Sequence, residues 1–143
     1  MIEVRLARGE KDVQQCLRIR WTVFVEEQGV PPSLELDGLD SQAVHALALA
    51  DGVPCGAGRV IFIAPGVARI QRMAVIDDVR GRGVGNALLA FLEDEARRRG
   101  ATKLTLSAQV QARPFYEKAG YAASGGEHDD GTGILHVSMQ KTA

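Results

Sequence analysis

A glycine- and arginine-rich heptapeptide, Arg80-Gly81-Arg82-Gly83-Val84-Gly85-Asn86, lies directly between a predicted strand and a predicted helix. Glycine loses more backbone entropy on folding than other residues, so three glycines at alternate positions need a structural reason. They let the chain turn tightly and leave N–H groups uncovered at a helix start, where the helix dipole is positive. With two arginines at its rim, the loop is typical of a phosphate-binding site. The alternative is a loop that binds no ligand.

Two common nucleotide-binding motifs do not fit this loop. The dinucleotide fingerprint requires a third glycine at position 86, which is asparagine, and an acidic residue about 20 positions further on, which is absent. A P-loop requires a Gly-Lys-Ser/Thr sequence, which is also absent. The residues therefore indicate a phosphate ligand other than those of the two standard motifs.

Hydrophobic periodicity predicts one α/β (α+β) domain in which strands and helices alternate. Predicted strands cover residues 2–6, 45–50, 55–63, 68–76, 103–108 and 134–140, and predicted helices cover residues 13–24, 84–96 and 113–119. Residues 26–41 are expected to form a loop or a short broken helix, and residues 124–133 a glycine- and aspartate-rich loop. Gly52 is expected in a turn, and Gly100 at a helix end.

The heptapeptide matches the Arg/Gln-x-x-Gly-x-Gly/Ala pattern of the GNAT superfamily of N-acetyltransferases at Arg80, Gly83 and Gly85. Residues 109–121 resemble a second family motif, Asn-x-x-Ala-x-x-Phe-Tyr-Glu-Lys-x-Gly-Phe, and residues 23–31 resemble the ElaA-type branch. The order of predicted elements agrees as well. The resemblance implies a GNAT-like fold over residues 1–143: a central mixed, mostly antiparallel β-sheet flanked by about four helices, in a single domain.

The resemblance further implies an acetyl-CoA-dependent N-acetyltransferase, with acetyl-CoA as co-substrate and a primary amine as acceptor. The amine would attack directly in a ternary complex, since neither motif contains a cysteine that could carry the acetyl group. The alternatives are a non-catalytic acyl-CoA-binding sensor or assembly module, and a generic phosphoanion-binding protein. Dimers are common in the family, so the resemblance is compatible with a homodimer, but the sequence does not determine the oligomeric state.

The site residues follow from the same resemblance. The pantetheine arm would pair with Met73-Ala74-Val75, and the Val75 N–H would polarise the thioester carbonyl. Tyr116 would protonate the departing thiolate, unless it only packs the last helix. Met73 and Val75 also suit a hydrophobic core. The full expected cofactor-binding set is Met73, Ala74, Val75, Arg80, Gly81, Arg82, Gly83, Val84, Gly85, Asn86, Gln109, Phe115 and Tyr116, with Gln109 in place of the family's asparagine.

A general base is needed because alkyl amines have a pKa near ~10 and are mostly protonated at neutral pH. Some family members use a glutamate or a histidine that acts through a water molecule, so the candidates are carboxylates and histidines, and the sequence selects none of them. The alternative for each is a solvated charge or a residue at a strand end. They are Glu26, Glu35, Asp37, His45 and His136.

The formal net charge of -1 hides an uneven distribution. Residues 21–58 contain no lysine or arginine but six acids, whereas residues 59–103 contain nine basic residues and five acids. The basic part suits the cofactor's phosphates, and the acidic part predicts a cationic acceptor such as a polyamine, aminoglycoside or lysine-like group. The alternative is a solvated acidic loop.

Several other classes are disfavoured. The sequence contains no run of 18 apolar residues and no signal peptide pattern, which favours a cytoplasmic protein without membrane contact. It contains only two cysteines, Cys16 and Cys55, so a disulfide framework is not expected. The dispersed histidines predict no metal site. The basic run at residues 97–99 is better explained by a helix end than by nucleic-acid binding.

Overall fold

The computed structural model describes residues 1–129 and 131–143. Its strands are β1 (Ile2–Leu6), β2 (Val44–Ala50), β3 (Val53–Ala64), β4 (Val67–Val75), β5 (Lys103–Gln109), β6 (Ala122–Asp129) and β7 (Leu135–Thr142). They form one sheet in the order β1-β2-β3-β4-β5-β7-β6. Only β4 and β5 pair in parallel, and the other neighbours are antiparallel. The prediction of a mixed, mostly antiparallel sheet is confirmed.

Four α-helices accompany the sheet: α1 (Gly9–Arg20), α2 (Pro32–Glu35), α3 (Val84–Arg98) and α4 (Arg113–Lys118). A π-helical segment, Trp21–Glu27, continues α1 without a break, so the first helix is longer than its hydrophobic pattern predicted. Residues 26–41 hold only short helical turns, as expected. No helix in the described ranges has the length and apolar character needed to span a membrane.

The long helix α3 packs directly on one face of the sheet. Leu88, Leu92 and Ala96, spaced by one helical turn, are fully buried there. Gly56 and Gly58 on β3 make the close approach feasible: a Cβ on Gly58 would lie only 2.7 Å from Leu92 Cδ1. This contact fixes α3 against the sheet and thereby places its first residue, Val84, beside the end of β4.

The opposite face of the sheet is covered by α1 and the π-helical segment. Cys16, Ile19 and Val23, on one face of this continuous helix, contact the sheet through a second apolar cluster. Its sheet residues are Leu47, Leu49, Ala57 and Ala74. The sheet is therefore enclosed between α1 and α3 over β2 to β4.

β4 and β5 pair only over the first part of β4 and then diverge. Their register runs from Val67–Lys103 to Ile70–Leu106 and stops there. On its other edge, β4 carries an irregularity in its pairing with β3, and Arg72 in this stretch has a left-handed backbone conformation with φ +59°. The result is a gap between β4 and β5 that widens toward their carboxyl ends.

The prediction of a loop over residues 124–133 is wrong for residues 124–129, which belong to β6. Glu127 pairs with Val137 and Asp129 with Leu135, and the register shifts between Ala123 and Glu127, around the two glycines. Every residue of β6 is exposed, so its sequence carries no apolar alternation that would have identified a strand. Position 130 lies outside the described residues.

Candidate active site

A cavity of about 690 Å³ occupies the gap between β4 and β5. β4 lines it from Arg69 to Val75, and β5 from Leu106 to Gln109. The π-helical segment, α2, Tyr116 and the residues Thr132, Ile134 and His136 also line it. Of the residues expected at the cofactor, six line this cavity: Met73, Ala74, Val75, Arg80, Gln109 and Tyr116.

The backbone of Val75 faces into the gap. The next amide, Ile76 N–H, donates to Cys55 O on the β3 side at 2.9 Å. Because successive N–H groups of a strand point to opposite edges, the Val75 N–H points toward β5 instead. The Val75 carbonyl, on the same edge, accepts a hydrogen bond from Arg80 Nε at 2.9 Å. This orientation is what an amide that polarises a ligand carbonyl requires.

The glycine loop lies at the wide end of the gap. Gly81 and Gly83 have φ values of +82° and +85°, and a Cβ on either would meet nothing within 4 Å. Glycine is therefore required at these positions for backbone conformation and not for space. Gly83 is the N-cap of α3, so the N–H groups of Val84, Gly85 and Asn86 form the first helical turn, where no intrahelical acceptor exists. These amides suit an anion.

The two arginines of the loop have different environments. Arg80 donates from both terminal nitrogens to the carboxylate of Glu27, at 2.7 and 2.8 Å, so its charge is compensated within the protein. This pair ties the π-helical segment to the end of β4. Arg82 is exposed, and within the described residues it forms no hydrogen bond or ion pair. Arg82 is therefore the cation of the loop that remains available to an anion.

Tyr116 and Phe115 occupy different sides of α4. Tyr116 lines the cavity, and its burial raises the pKa of the phenol to about 12, so the hydroxyl is protonated at neutral pH. Phe115 packs edge-on against the Tyr116 ring, with centroids 4.9 Å apart. It also lies against the start of α3, because a Cβ on Gly85 would be 3.4 Å from its ring. Phe115 thus supports the loop from behind and does not line the cavity.

Gln109, expected in place of a family asparagine, is held by two other amides. Its Nε2 donates to Gln28 Oε1 at 2.8 Å, and its Oε1 accepts from Gln111 Nε2 at 2.7 Å. Gln28 follows the π-helical segment, so the contact closes one side of the cavity between that segment and β5. Sequence reasoning missed Gln28 and Gln111 as site residues.

A buried ionic cluster lies behind the part of the cavity wall that α2 and the residues after it form. Arg20 and Arg59, which are 1% and 0% exposed, each contact two carboxylates. Arg20 pairs with Glu35 at 2.8 Å and Asp40 at 2.7 Å. Arg59 pairs with Asp37 at 2.6 Å and Asp40 at 2.8 Å.

Arg72 completes this cluster, with ion pairs to Glu35 at 3.4 Å and Asp37 at 3.2 Å. Its Nη2 also donates to the Leu34 carbonyl at 3.1 Å. Three arginines and three carboxylates therefore compensate one another, and the segment around α2 is fastened to β3 and β4.

The ionic cluster removes the basis for the expected cationic acceptor. Arg20 and Arg59 lie immediately outside the acidic stretch 21–58, so a count within that stretch misses the partners of its carboxylates. Glu27 pairs with Arg80, and Asp51 with the N-terminal amine. Within the described residues, Glu26 is the one acid of the six without a cationic partner, and it lies outside the cavity. Cations of the same chain therefore compensate five of the six acids of this stretch.

Three of the five candidate bases line the cavity: Glu35, Asp37 and His136. Burial raises the pKa of Asp37, but hydrogen bonds from Arg59 and the Leu39 N–H outweigh it, and the carboxyl pKa falls to about 2. Asp37 is therefore a poor proton acceptor at neutral pH. His136 Nδ1 is 2.8 Å from Ile134 O, which can only accept, so in the neutral ring the lone pair is on Nε2.

Neither cysteine suits a covalent mechanism. Cys16 and Cys55 are buried free thiols that do not line the cavity. Burial raises the pKa of Cys16 to about 12 and also raises that of Cys55, which disfavours the nucleophilic thiolate. No group of metal-ligating side chains with suitable geometry occurs in residues 1–129 and 131–143.

The cavity also contains polar β4 and β5 side chains that sequence reasoning missed: Arg69, Gln71 and Ser107. A signal existed in β4, where Arg69 and Gln71 alternate with the buried residues Ala68 and Ile70. Such alternation indicates one apolar and one polar face of a strand. It does not show that the polar face lines a cavity.

Comparison with known proteins agrees with this architecture. Residues 12–143 match the family model described as an acetyltransferase (GNAT) domain. The uncharacterized N-acetyltransferase YjcF of Bacillus subtilis is 35% identical over 136 residues, 95% of this chain and 96% of that protein.

Two solved structures share the fold along the whole chain. An acyl-CoA N-acyltransferase from Pseudomonas aeruginosa is 26% identical with a TM-score of 0.85, covering 99% of both chains. Escherichia coli ElaA is 23% identical with a TM-score of 0.87 over 99% of both chains, which shows the fold and is consistent with an ElaA-type branch. The family match over nearly the whole chain, on a sheet split between β4 and β5, shows that this protein belongs to the GNAT acetyltransferase family.

Proposed function

We propose that this protein is an acetyl-CoA-dependent N-acetyltransferase that transfers the acetyl group to a primary amine. The observation that carries the proposal is the cavity between β4 and β5, which is lined both by Val75, whose N–H points toward β5, and by Tyr116. A donor for a thioester carbonyl and a donor for its sulfur are both needed for acyl transfer from a thioester. Membership of the acetyltransferase family supports the same reaction.

The gap between β4 and β5 and the glycine loop at its end would each contact a different part of acetyl-CoA. The pantetheine arm would run along Met73 to Val75, where the unpaired edge of β4 offers backbone groups to a peptide-like chain. The pyrophosphate would meet the amides of residues 84–86 and the charge of Arg82. The glycine loop is at the mouth of the gap, so this placement directs the thioester inward, toward the part of the cavity walled by α2.

The reaction forms a C–N bond and breaks the C–S bond, giving an N-acetylated amine and the free thiol of coenzyme A. The Val75 N–H would stabilise negative charge on the carbonyl oxygen during attack. The proton lost by the amine ends on the sulfur. Because the pKa of Tyr116 is about 12, above the ~8.5 of a thiol, its hydroxyl would act mainly by hydrogen-bonding the departing sulfur.

The experiment that tests the proposal has two stages. Isothermal titration first compares acetyl-CoA with ADP, because a generic phosphoanion site would bind both equally. Release of the coenzyme A thiol is then measured with a panel of primary amines. Thiol release that depends on the amine, with N-acetyl product found by mass spectrometry, supports the enzyme. Tight acetyl-CoA binding without transfer across the panel would instead favour a non-catalytic acyl-CoA-binding module.

A further inference from the structure

Among the described residues, the charged side chains that line the cavity are three acids and three arginines. Each acid already has an arginine partner: Glu27 has Arg80, Glu35 has Arg20 and Arg72, and Asp37 has Arg59 and Arg72. The third lining arginine, Arg69, takes part in none of these pairs. Within residues 1–129 and 131–143, the side chain of Arg69 forms no hydrogen bond or ion pair. The cavity therefore keeps one uncompensated positive charge.

Arg69 lies at the inner end of the gap. It pairs in register with Thr105 of β5, one residue before Ile70, where the pairing of the two strands stops. Its side chain is half-buried and shares a strand face with Gln71, which contacts the ionic cluster through Arg59. Arg69 thus stands on the acceptor side, next to the segment around α2.

The phosphates of coenzyme A are an unsuitable partner for Arg69. Arg69 and Val75 are six positions apart along β4, so their Cα atoms are roughly 20 Å apart at the usual rise of a strand. The glycine loop lies beyond Val75, further still from Arg69. An anion that reaches Arg69 must therefore come from the acceptor side of the cavity.

We infer that the acceptor amine carries a carboxylate, and that Arg69 binds it. The inference rests on the proposed N-acetyltransferase function and names the class of its acceptor. A guanidinium keeps its charge at every accessible pH and presents paired donors that match a carboxylate. The carboxylates that line the cavity in the described part of the chain do not fill that role, because the ionic cluster and Arg80 engage them all. An amino-acid-like acceptor fits this charge pattern, and a polycation does not.

The test compares three matched sets of acceptors at fixed acetyl-CoA: ω-amino acids from 6-aminohexanoate to 12-aminododecanoate, their carboxamides, and the α,ω-diamines of equal length. Chains of this length are needed because the thioester at Val75 and the guanidinium of Arg69 lie far apart along β4. The wild-type protein is expected to acetylate the carboxylates with a kcat/KM at least 10-fold above the carboxamides. In Arg69→Gln, kcat/KM for the carboxylates should fall about 10- to 100-fold, as for loss of a charge-assisted hydrogen bond. The carboxamides should change less than 3-fold.

Two further variants sharpen the comparison. Arg69→Lys keeps the charge but not the paired donors, so its loss for the carboxylates should be intermediate. Arg18→Gln removes the same charge from an exposed position of α1 outside the cavity and should behave as wild type. The inference would be overturned if the wild-type protein acetylated the carboxamides or the diamines with a kcat/KM equal to that for the carboxylates. An equal loss for all three sets in Arg69→Gln would do the same.

Failure of the proposed function gives a different pattern. If acetyl-CoA binds but no amine is acetylated, the function fails on this panel, and the carboxylate site is then judged by binding alone. N-acetyl-6-aminohexanoate and its carboxamide would be titrated into the coenzyme A-loaded protein. A 10-fold preference for the carboxylate that disappears in Arg69→Gln supports the site, and equal binding of the two probes overturns it.

Discussion

Arg59 on β3 binds both carboxylate oxygens of Asp37, with Nη1 at 3.1 Å from Oδ1 and Nη2 at 2.6 Å from Oδ2. The guanidinium is fully buried, and Nη1 also donates to Asp40 at 2.8 Å. This fork fastens the segment after α2 to the sheet. Because Leu34, Glu35 and Asp37 line the cavity, the contact also sets the shape of its acceptor wall.

Removing the central cation of this cluster should strongly destabilise the fold. In Arg59→Met, Asp37 and Asp40 lose their shared partner, and we expect a loss of about 3–5 kcal/mol in the free energy of unfolding. Urea denaturation followed by circular dichroism measures it. Arg97→Gln is the control, because its pair with Asp94 at 3.0 Å is exposed and is expected to contribute less than about 1 kcal/mol. Similar losses of unfolding free energy in both variants would show that the buried cluster stabilises the fold no more than an exposed ion pair does.

Acid should weaken the same contact in a defined pH range. The pKa of Asp37 is lowered to about 2 in the folded protein, from 3.8 for a free aspartate. A group with a depressed pKa stabilises the fold above its unfolded value, and this contribution disappears as the pH falls toward the folded value. We therefore expect stability to decline between about pH 4 and pH 2. Urea midpoints at closely spaced pH values measure this, and Asp37→Asn should flatten the decline; an unchanged slope in Asp37→Asn would contradict it.

Tyr116 is expected to act on the chemical step and not on cofactor affinity. Tyr116→Phe removes the hydroxyl that would hydrogen-bond the departing sulfur, and should lower kcat about 10- to 100-fold. Acetyl-CoA affinity should stay within about 2-fold, since ring packing against Phe115 remains. Tyr121→Phe is the matched control: that hydroxyl donates to Glu93 at 2.8 Å in the core, so its loss should affect stability and leave kcat unchanged. A loss of affinity equal to the loss of rate in Tyr116→Phe would argue for a packing role.

Much of the fold could be predicted because local signals and global structure agree. The glycine loop between β4 and α3, the apolar stripe of α3 and the strand β1 follow from spacing alone, and Gly100 has the expected positive φ of +99°. β6 could not be predicted in this way, because its residues are stabilised by backbone pairing with β7 and bury no side chains. A strand without an apolar face has no period for a sequence pattern to reveal.

Some residues of the candidate site could be predicted from the sequence, and others could not. Residues of the two family motifs, such as Tyr116, were predicted at the cavity because they are contiguous in sequence. The ionic cluster was missed because its partners are distant in sequence: Arg59 contacts Asp37 across 22 positions, and Arg72 contacts Leu34 across 38. The count of charges along residues 21–58 therefore predicted an acidic site, whereas the one charge left without a partner in the described lining of the cavity is the positive charge of Arg69.

The glycine loop permits a test that separates backbone strain from ligand binding. Gly83→Ala places a Cβ at φ +85°, which costs roughly 1–2 kcal/mol in the left-handed region and favours a displaced loop. We expect acetyl-CoA affinity to fall about 10-fold, because the amides that would hold the pyrophosphate move with the loop. Gly9→Ala is the matched control: its φ is +73°, a Cβ there is equally uncrowded, and Gly9 is the first residue of α1, outside the cavity lining. Both variants should lose comparable stability in thermal unfolding, while titration with acetyl-CoA should show weaker binding for Gly83→Ala alone. Equal affinity in the two variants would remove the glycine loop from the cofactor site.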